Sequence, residues 1–199
     1  ATAADPAGQA RRLSGHEAVA VTEDAAPSGE RTIVLWEPGF IEGAEGESGA
    51  PVRYPATAEA ASVSAELLLQ GARTLTFVRS RRAAETVAMR TQEHLSAAGR
   101  ADMAERVAPY RAGYLAEDRR ELERRLDDGE LLGVASTNAL ELGIDVGGLD
   151  AVVMAGFPGT VASFRQQAGR AGRRGQSSVA VLVARDEPTD TYLVHHPAA

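Results

Sequence analysis

The sequence contains no cysteine, which excludes disulfide bonds and metal sites built from thiolates. Its four histidines do not have the spacing of metal ligands, so we predict no metal site within the chain. No stretch approaches the roughly 18 consecutive apolar residues that span a bilayer. Residues 1–12 do not place a basic region before an apolar run, as a secretory signal would. We therefore expect a soluble, cytoplasmic protein with no membrane partner.

Basic residues do not outnumber acidic ones, since 21 stand against 28 and the net charge is -7. Proteins that hold nucleic acid through a broad electrostatic footprint normally carry an excess of positive charge. Any nucleic-acid contact must therefore depend on a few well-placed groups, or on parts of the protein outside this chain. Residues 165–175 are a local exception, because they contain four arginines and no acid.

The 199 residues, of which 44% are apolar, are enough for one sizeable core. Residues 1–30 are rich in Ala, Gly, Pro and Ser, and we expect an irregular lead-in there. Within residues 31–56, the run Thr32–Trp36 predicts a strand. The glycines, prolines and acids of Gly39–Pro55 predict a flexible loop, because such composition buries too little surface to offset its ordering entropy. Residues 57–199 form the main predicted domain.

Strand-like runs alternate with helix patterns through the main predicted domain. The predicted strands are 74–78, 107–111, 131–136, 151–154 and 178–184, and the predicted helical segments are 57–70, 81–98, 117–128, 138–142 and 161–168. This order predicts an α/β fold with a parallel sheet and helices on both faces. Because ligands bind outside the carboxyl ends of such strands, we expect the site in the loops after Val78, Ser136, Ala155 and Ala168.

The segment QQAGRAGRRG, residues 166–175, interleaves three glycines with three arginines. Glycine lets the backbone turn tightly and approach a ligand closely. Arginine presents a rigid fork of donors that suits phosphate oxygens and stays charged. An exposed basic turn would explain the arginines, but it would not explain glycines placed in step with them. The pattern therefore indicates phosphate binding.

A second segment, STNALELGIDV, covers residues 136–146 at the end of a predicted strand. Thr137 followed by Glu141 is compatible with a helix cap and a supporting acid. However, the glycine and aspartate at Gly143 and Asp145 interrupt the helix within two turns, which a purely structural helix would not need. The segment is therefore a candidate binding loop, with the cap as the alternative.

A third segment, TFVRSRRAAE, covers residues 76–85, where a predicted strand meets a predicted helix. Ser80 and Arg81 open the helix, so a hydroxyl, a guanidinium and the helix-start amides can meet at one anion. A plain N-cap at Ser80 is the alternative.

The three segments resemble motifs IV, V and VI of superfamily 2 helicases of the DEAD/DEAH type, in that family's order. The residue sequence is most similar to the YprA-like branch, which is related to the Hrq helicases and is likened to RecQ. The resemblance covers residues 32–197. It implies a RecA-like helicase C-terminal domain with a mostly parallel sheet. Residues 1–30 would then contain the end of motif III and the lead-in from a preceding domain.

The resemblance implies an ATP site that is shared with another RecA-like domain. Motif VI aligns with Gln166 as its first polar residue and with Arg170 and Arg173 as arginine fingers, which stabilise charge on the transferred phosphoryl group. Motif V aligns with Gly143 and Asp145, which would face the nucleotide and its ribose.

The resemblance also implies contacts to a nucleic-acid backbone. In motif IV these would come from Ser80 and Arg81, and in motif V from Thr137. Arg111 and Gly113 occupy the place of a loop that touches nucleic acid in family members. Contacts of this kind fix position without reading base sequence.

The chain departs from the family pattern in three ways. Gln167 replaces a further arginine that many members carry. No Gly-x-x-x-x-Gly-Lys-Ser/Thr loop and no Asp-Glu-x-Asp/His box occur, so the phosphate cradle and the Mg²⁺ ligands are expected on a missing first domain. No cysteine-rich C-terminal domain is present either.

We therefore expect the second motor domain of an ATP-dependent DNA helicase that moves 3′ to 5′ along single-stranded DNA in DNA repair. We expect the isolated chain to be inactive towards ATP, because it holds half of a split site. An RNA helicase, a duplex translocase and a non-catalytic nucleic-acid-binding module remain alternatives.

Overall fold

The computed structural model describes residues 5–23, 29–46, 49–110, 116–141, 148–172 and 175–197. The strands are β1 Arg31–Trp36, β2 Phe40–Glu45, β3 Pro51–Arg53, β4 Thr74–Phe77, β5 Val107–Tyr110, β6 Gly133–Ser136, β7 Ala151–Ala155 and β8 Ser178–Val183. The helices are α1 Pro6–Ser14, α2 Ala56–Leu69, α3 Arg81–Ala97, α4 Ala101–Ala104, α5 Ala116–Asp127, α6 Val161–Ala168 and α7 Pro188–His195. A 3-10 turn covers Asn138–Leu140.

Six strands form one parallel sheet in the order β1-β8-β7-β4-β6-β5. Alternate residues of β7 pack on opposite faces, because successive side chains of a strand point to opposite sides. Val153 joins the core beneath α2 and α3, and Val152 and Met154 join the core that includes Leu126 of α5. Every residue of β7 is buried. The α/β prediction with both faces covered is confirmed.

Local side-chain caps set the starts of α3 and α6. The Ser80 hydroxyl accepts a hydrogen bond from the Ala83 amide at 3.1 Å, so it caps α3. Thr160 caps α6 in the same way, through the Ser163 amide at 3.0 Å. The helix that was predicted to start at residue 57 begins one residue earlier, after Pro55, and has no side-chain cap. No helix within the described ranges is long and apolar enough to cross a membrane.

The predicted loop Gly39–Pro55 is instead the antiparallel hairpin of β2 and β3. Tertiary contacts of Arg53 order it. The Arg53 guanidinium lies 4.0 Å from the centre of the Phe40 ring, pairs with Glu37 at 3.1 Å and donates to the Pro38 carbonyl at 2.7 Å. Composition alone does not reveal these contacts, which offset the ordering entropy.

The expected irregular lead-in contains a helix, α1. Asp5 caps it by accepting from the Gly8 amide at 2.9 Å. Proline occupies its first turn, where the missing amide hydrogen costs nothing, and Gly15 ends it in a left-handed conformation with φ of 73°. The helix was not predicted because the segment between its capping residues is short and mostly polar and buries no residue, so it lacks the apolar periodicity that indicates a helix.

Candidate functional site

Three loops meet at one edge of the sheet, because β6, β4 and β7 are neighbouring parallel strands. Phe77 pairs in register with Ser136 on one side and Met154 on the other, so the residues after them emerge side by side. A cleft of about 190 Å³ opens there, and the polar residues that line it are Arg79, Asn138, Glu141, Ser163 and Gln167. We call this edge of the sheet, where β6, β4 and β7 end, the strand-end edge. The sequence-predicted residues Ser80 and Thr137 both follow strands that end at it.

Ser80 and Arg81 are exposed at the start of α3, as the sequence predicted. The Ser80 hydroxyl already accepts the Ala83 amide, so the N-cap interpretation is confirmed. The 17-residue helix directs its first amides and the positive end of its dipole towards this edge. Arg79 is also exposed and pairs with Glu187 at 3.3 Å. The geometry suits an anion, and the cap does not prevent it.

Thr137 is half-buried and precedes the 3-10 turn without capping it through its side chain. The helix-cap alternative is therefore wrong. Glu141 does not support such a cap but forms hydrogen bonds to another helix. Its carboxylate accepts the Ser163 hydroxyl at 2.6 Å and the Gln167 amide at 2.9 Å. Both partners belong to α6. The motif V segment is thus fastened to the helix that leads into the arginine-glycine segment.

Arg170 follows α6 and is half-buried. One of its terminal nitrogens donates to the backbone carbonyl of Glu141. Burial lowers the pKa of Arg170 below its ordinary value, and the nearby Glu141 carboxylate opposes that change. The guanidinium stays charged because its ordinary pKa is so high, and partial desolvation strengthens its attraction for an anion. Gln166, on the last turn of α6, is also half-buried.

The segment after Ala168 does not lie at the strand-end edge, so that part of the expectation is wrong. The Gly172 amide donates to the Leu149 carbonyl at 3.1 Å, and Arg31 donates to the Ala171 carbonyl at 3.4 Å. Leu149 and Arg31 stand at the amino ends of β7 and β1. The reason is topological, since a helix that connects two parallel strands runs back to the start of the next one.

Several predicted site residues fall outside the described residues. They are Arg111, Gly113, Gly143, Asp145 and Arg173. Their roles stay predictions. Among the residues that the structure does describe, no three or more His, Cys, Asp or Glu side chains are grouped as metal ligands would be.

A buried carboxylate, which the sequence did not reveal, holds the loop after β7. Asp190 of α7 is 1% exposed and accepts from the Phe157 and Arg185 amides, each at 3.0 Å. The Arg185 side chain pairs with it at 3.2 Å and donates to the Phe157 carbonyl at 2.9 Å. Burial raises the pKa of Asp190, whereas the Phe157 amide and Arg79 lower it. Gly156 fits beside this pair with φ of 95°.

Comparison with known proteins finds a match to the helicase conserved C-terminal domain over residues 59–175. The chain is 42% identical over 182 residues to the ATP-dependent helicase HRQ1 of Saccharomyces cerevisiae, covering 92% of this chain and 16% of HRQ1. It is 41% identical over 197 residues to the ATP-dependent helicase YprA of Bacillus subtilis, covering 99% and 25%.

A crystal structure of the DUF1998 helicase MrfA bound to DNA and AMPPNP matches with a TM-score of 0.86 at 41% identity. The match covers 99% of this chain and 26% of the MrfA chain. This chain therefore spans about a quarter or less of the length of these relatives. The family match and the parallel sheet agree with the motifs in the sequence: the chain belongs to the superfamily 2 helicases, as a RecA-like C-terminal domain of the branch that contains YprA and the Hrq helicases.

Proposed function

We propose that this chain is the second motor domain of an ATP-dependent DNA helicase that moves 3′ to 5′ along single-stranded DNA and serves DNA repair. The observation that carries the proposal is a structural connection between the residues proposed to bind nucleic acid and those proposed to bind the nucleotide. One hydrogen-bonded network links Glu141, next to the strand-end edge, with Gln167 and Arg170 in the arginine-glycine segment. The MrfA relative was crystallised with DNA and AMPPNP together, which supports the same pair of ligands here.

On the nucleotide side, Arg170 and Arg173 would reach the γ-phosphate of ATP that the first RecA-like domain binds. Gln166 would contribute a polar contact, and Gly143 and Asp145 would face the nucleotide. The half-buried, charged Arg170 fits this role, because a guanidinium in a poorly solvated cleft stabilises phosphoryl charge strongly. Mg²⁺, held by the first domain, would neutralise charge on the phosphates. The isolated chain should therefore not turn over ATP.

On the nucleic-acid side, the strand-end edge would grip a phosphodiester backbone. Ser80 and Arg81 would contribute the start of α3, and Thr137 would contribute the loop after β6, with Arg111 and Gly113 as further contacts. The net charge of -7 argues against a broad basic footprint on this chain. A small number of aligned donors suits a motor that must bind each successive nucleotide and release it again, whatever its base.

The test is Arg170→Ala in the complete polypeptide that carries both motor domains. We expect DNA-stimulated ATP hydrolysis to fall by about 10³-fold or more. Affinity for single-stranded oligo(dT) should stay within about twofold. Arg165→Ala is the matched control, because Arg165 is an exposed arginine on α6, and it should retain activity. Survival of ATP hydrolysis in the Arg170 variant would contradict the finger assignment.

A further inference from the structure

Glu141 is a buried acid at the junction of the two halves of the proposed site. Its side chain belongs to a residue that is 7% exposed, and a carboxylate that is buried without partners is costly. Two neutral donors satisfy it, Ser163 at 2.6 Å and Gln167 at 2.9 Å. Because they are four residues apart, these donors lie on one face of α6. Glu141 thus fixes both the rotation and the axial position of that helix.

The main chain of Glu141 connects in both directions. Its amide donates to the Asn138 carbonyl at 3.0 Å, which ties it to the exposed turn at the strand-end edge. Its carbonyl accepts the Arg170 guanidinium. A single residue therefore touches the turn that follows Thr137, the helix α6 and the proposed finger.

We propose that Glu141 is a positioning residue that couples occupancy of the strand-end edge by a DNA backbone to the placement of Arg170. This inference rests on the proposed function. When a strand presses on the Thr137–Asn138 turn, the turn shifts Glu141, and α6 follows because both of its contacts are made to one carboxylate. Glu141 lines the cleft at this edge, but Ser163 and Gln167 occupy its carboxylate oxygens, so in this scheme its carboxylate binds neither the DNA backbone nor ATP. Its contribution appears as the acceleration of ATP hydrolysis by DNA.

Both side-chain hydrogen bonds that the Glu141 carboxylate accepts come from neutral groups. Gln167 is 5% exposed and donates one amide hydrogen to the carboxylate. A neutral amide holds Glu141 more weakly than a guanidinium would, since charged hydrogen bonds are roughly twice as strong.

The test compares Glu141→Ala with Glu141→Gln in the polypeptide that carries both motor domains. The alanine variant loses both side-chain contacts. The glutamine variant keeps them, because the Gln167 amide can turn to present its oxygen to the new NH₂ group. Thr91→Val is the control for a general loss of stability, since it removes a buried hydrogen bond to Ala61 in the core beneath α3. Turnover and KM for ATP are measured with and without saturating oligo(dT), and thermal unfolding is followed for each variant.

We expect Glu141→Ala to reduce DNA-stimulated turnover about thirtyfold, the factor that corresponds to losing two hydrogen bonds of ordinary strength. DNA-independent turnover and the KM for ATP should stay within about twofold of the parent. Glu141→Gln should restore most of the stimulation. An equal loss of basal and stimulated turnover, or a comparable loss in Thr91→Val, would assign a merely structural role to Glu141 and overturn the proposal. So would full stimulation in Glu141→Ala.

If Glu141→Ala fails to fold, Ser163→Ala and Gln167→Ala each remove one contact and should each reduce the stimulation in part. Unchanged stimulation in both would overturn the proposal. Failure of the underlying function has a separate signature, which is retained ATP hydrolysis in Arg170→Ala. Loss of ATP hydrolysis in Arg170→Ala together with full stimulation by DNA in Glu141→Ala would refute the coupling role of Glu141 and leave the proposed function intact.

Discussion

Replacement of Asp190 tests how the loop at the strand-end edge is held. Asp190→Ala removes the acceptor for the Phe157 and Arg185 amides and leaves the Arg185 guanidinium, whose side chain is 15% exposed, with only the exposed Glu187 as an ion-pair partner. Removing one member of a buried ion pair costs about 3–5 kcal/mol. For a chain of this length, that loss corresponds to a decrease in Tm of roughly 10 °C.

The measurement is urea unfolding followed by circular dichroism, with the loop probed by hydrogen exchange at Phe157. Asp102→Ala is the matched control, because it removes an Asp–Arg pair of similar geometry, 2.8 Å from Arg100, that is exposed to solvent. The control should leave the unfolding midpoint unchanged. If Asp190→Ala and Asp102→Ala lower the free energy of unfolding by the same small amount, burial does not make the Asp190–Arg185 pair more stabilising than an exposed pair, and the reasoning is refuted.

Two further predictions concern stability. Burial and the neighbouring Glu123 raise the pKa of the Tyr110 hydroxyl, so the native state keeps this proton more tightly than the unfolded state, and the free energy of unfolding should fall as pH rises above about 10. Tyr110→Phe should weaken this alkaline decline in pH-dependent urea unfolding, and an unchanged decline would show that another group causes it. Gly156→Ala should cost more than Gly159→Ala, because both backbones have positive φ but only at Gly156 would a Cβ lie 1.8 Å from the Arg185 side chain. Strain alone is worth about 1–3 kcal/mol, and equal losses in chemical unfolding would exclude a steric contribution from Arg185.

The secondary structure of the main domain could be predicted because its signals are local. Continuous apolar runs indicated strands buried on both faces, and β7 and β8 appear almost as predicted. Ser80 is read from sequence as a cap because its partner lies three residues away. The β2–β3 hairpin was not predicted because the contacts that stabilise it are not local in sequence: Arg53 contacts Glu37 and Phe40, more than ten residues away.

The motifs predicted the chemistry of the site without the structure. Arginines interleaved with glycines, and a Ser-Arg pair at a helix start, indicate phosphate groups because of their donor geometry and charge. The sequence alone therefore identified Arg170 as a phosphate-binding candidate and Ser80 and Arg81 as anion-binding candidates. Residue type and spacing were sufficient for those assignments.

Only the tertiary structure decided how these pieces are arranged. It separates the segment after Ala168 from the strand-end edge, because α6 returns to the amino ends of the strands. It also joins the two through Glu141 and Gln167, which are 26 residues apart in sequence. Such a contact has no local signature, because it depends on where the sheet places the ends of two crossovers. The sequence determined which groups are candidates for binding phosphate, and the fold determined that one buried carboxylate, Glu141, lies between the segments that carry them.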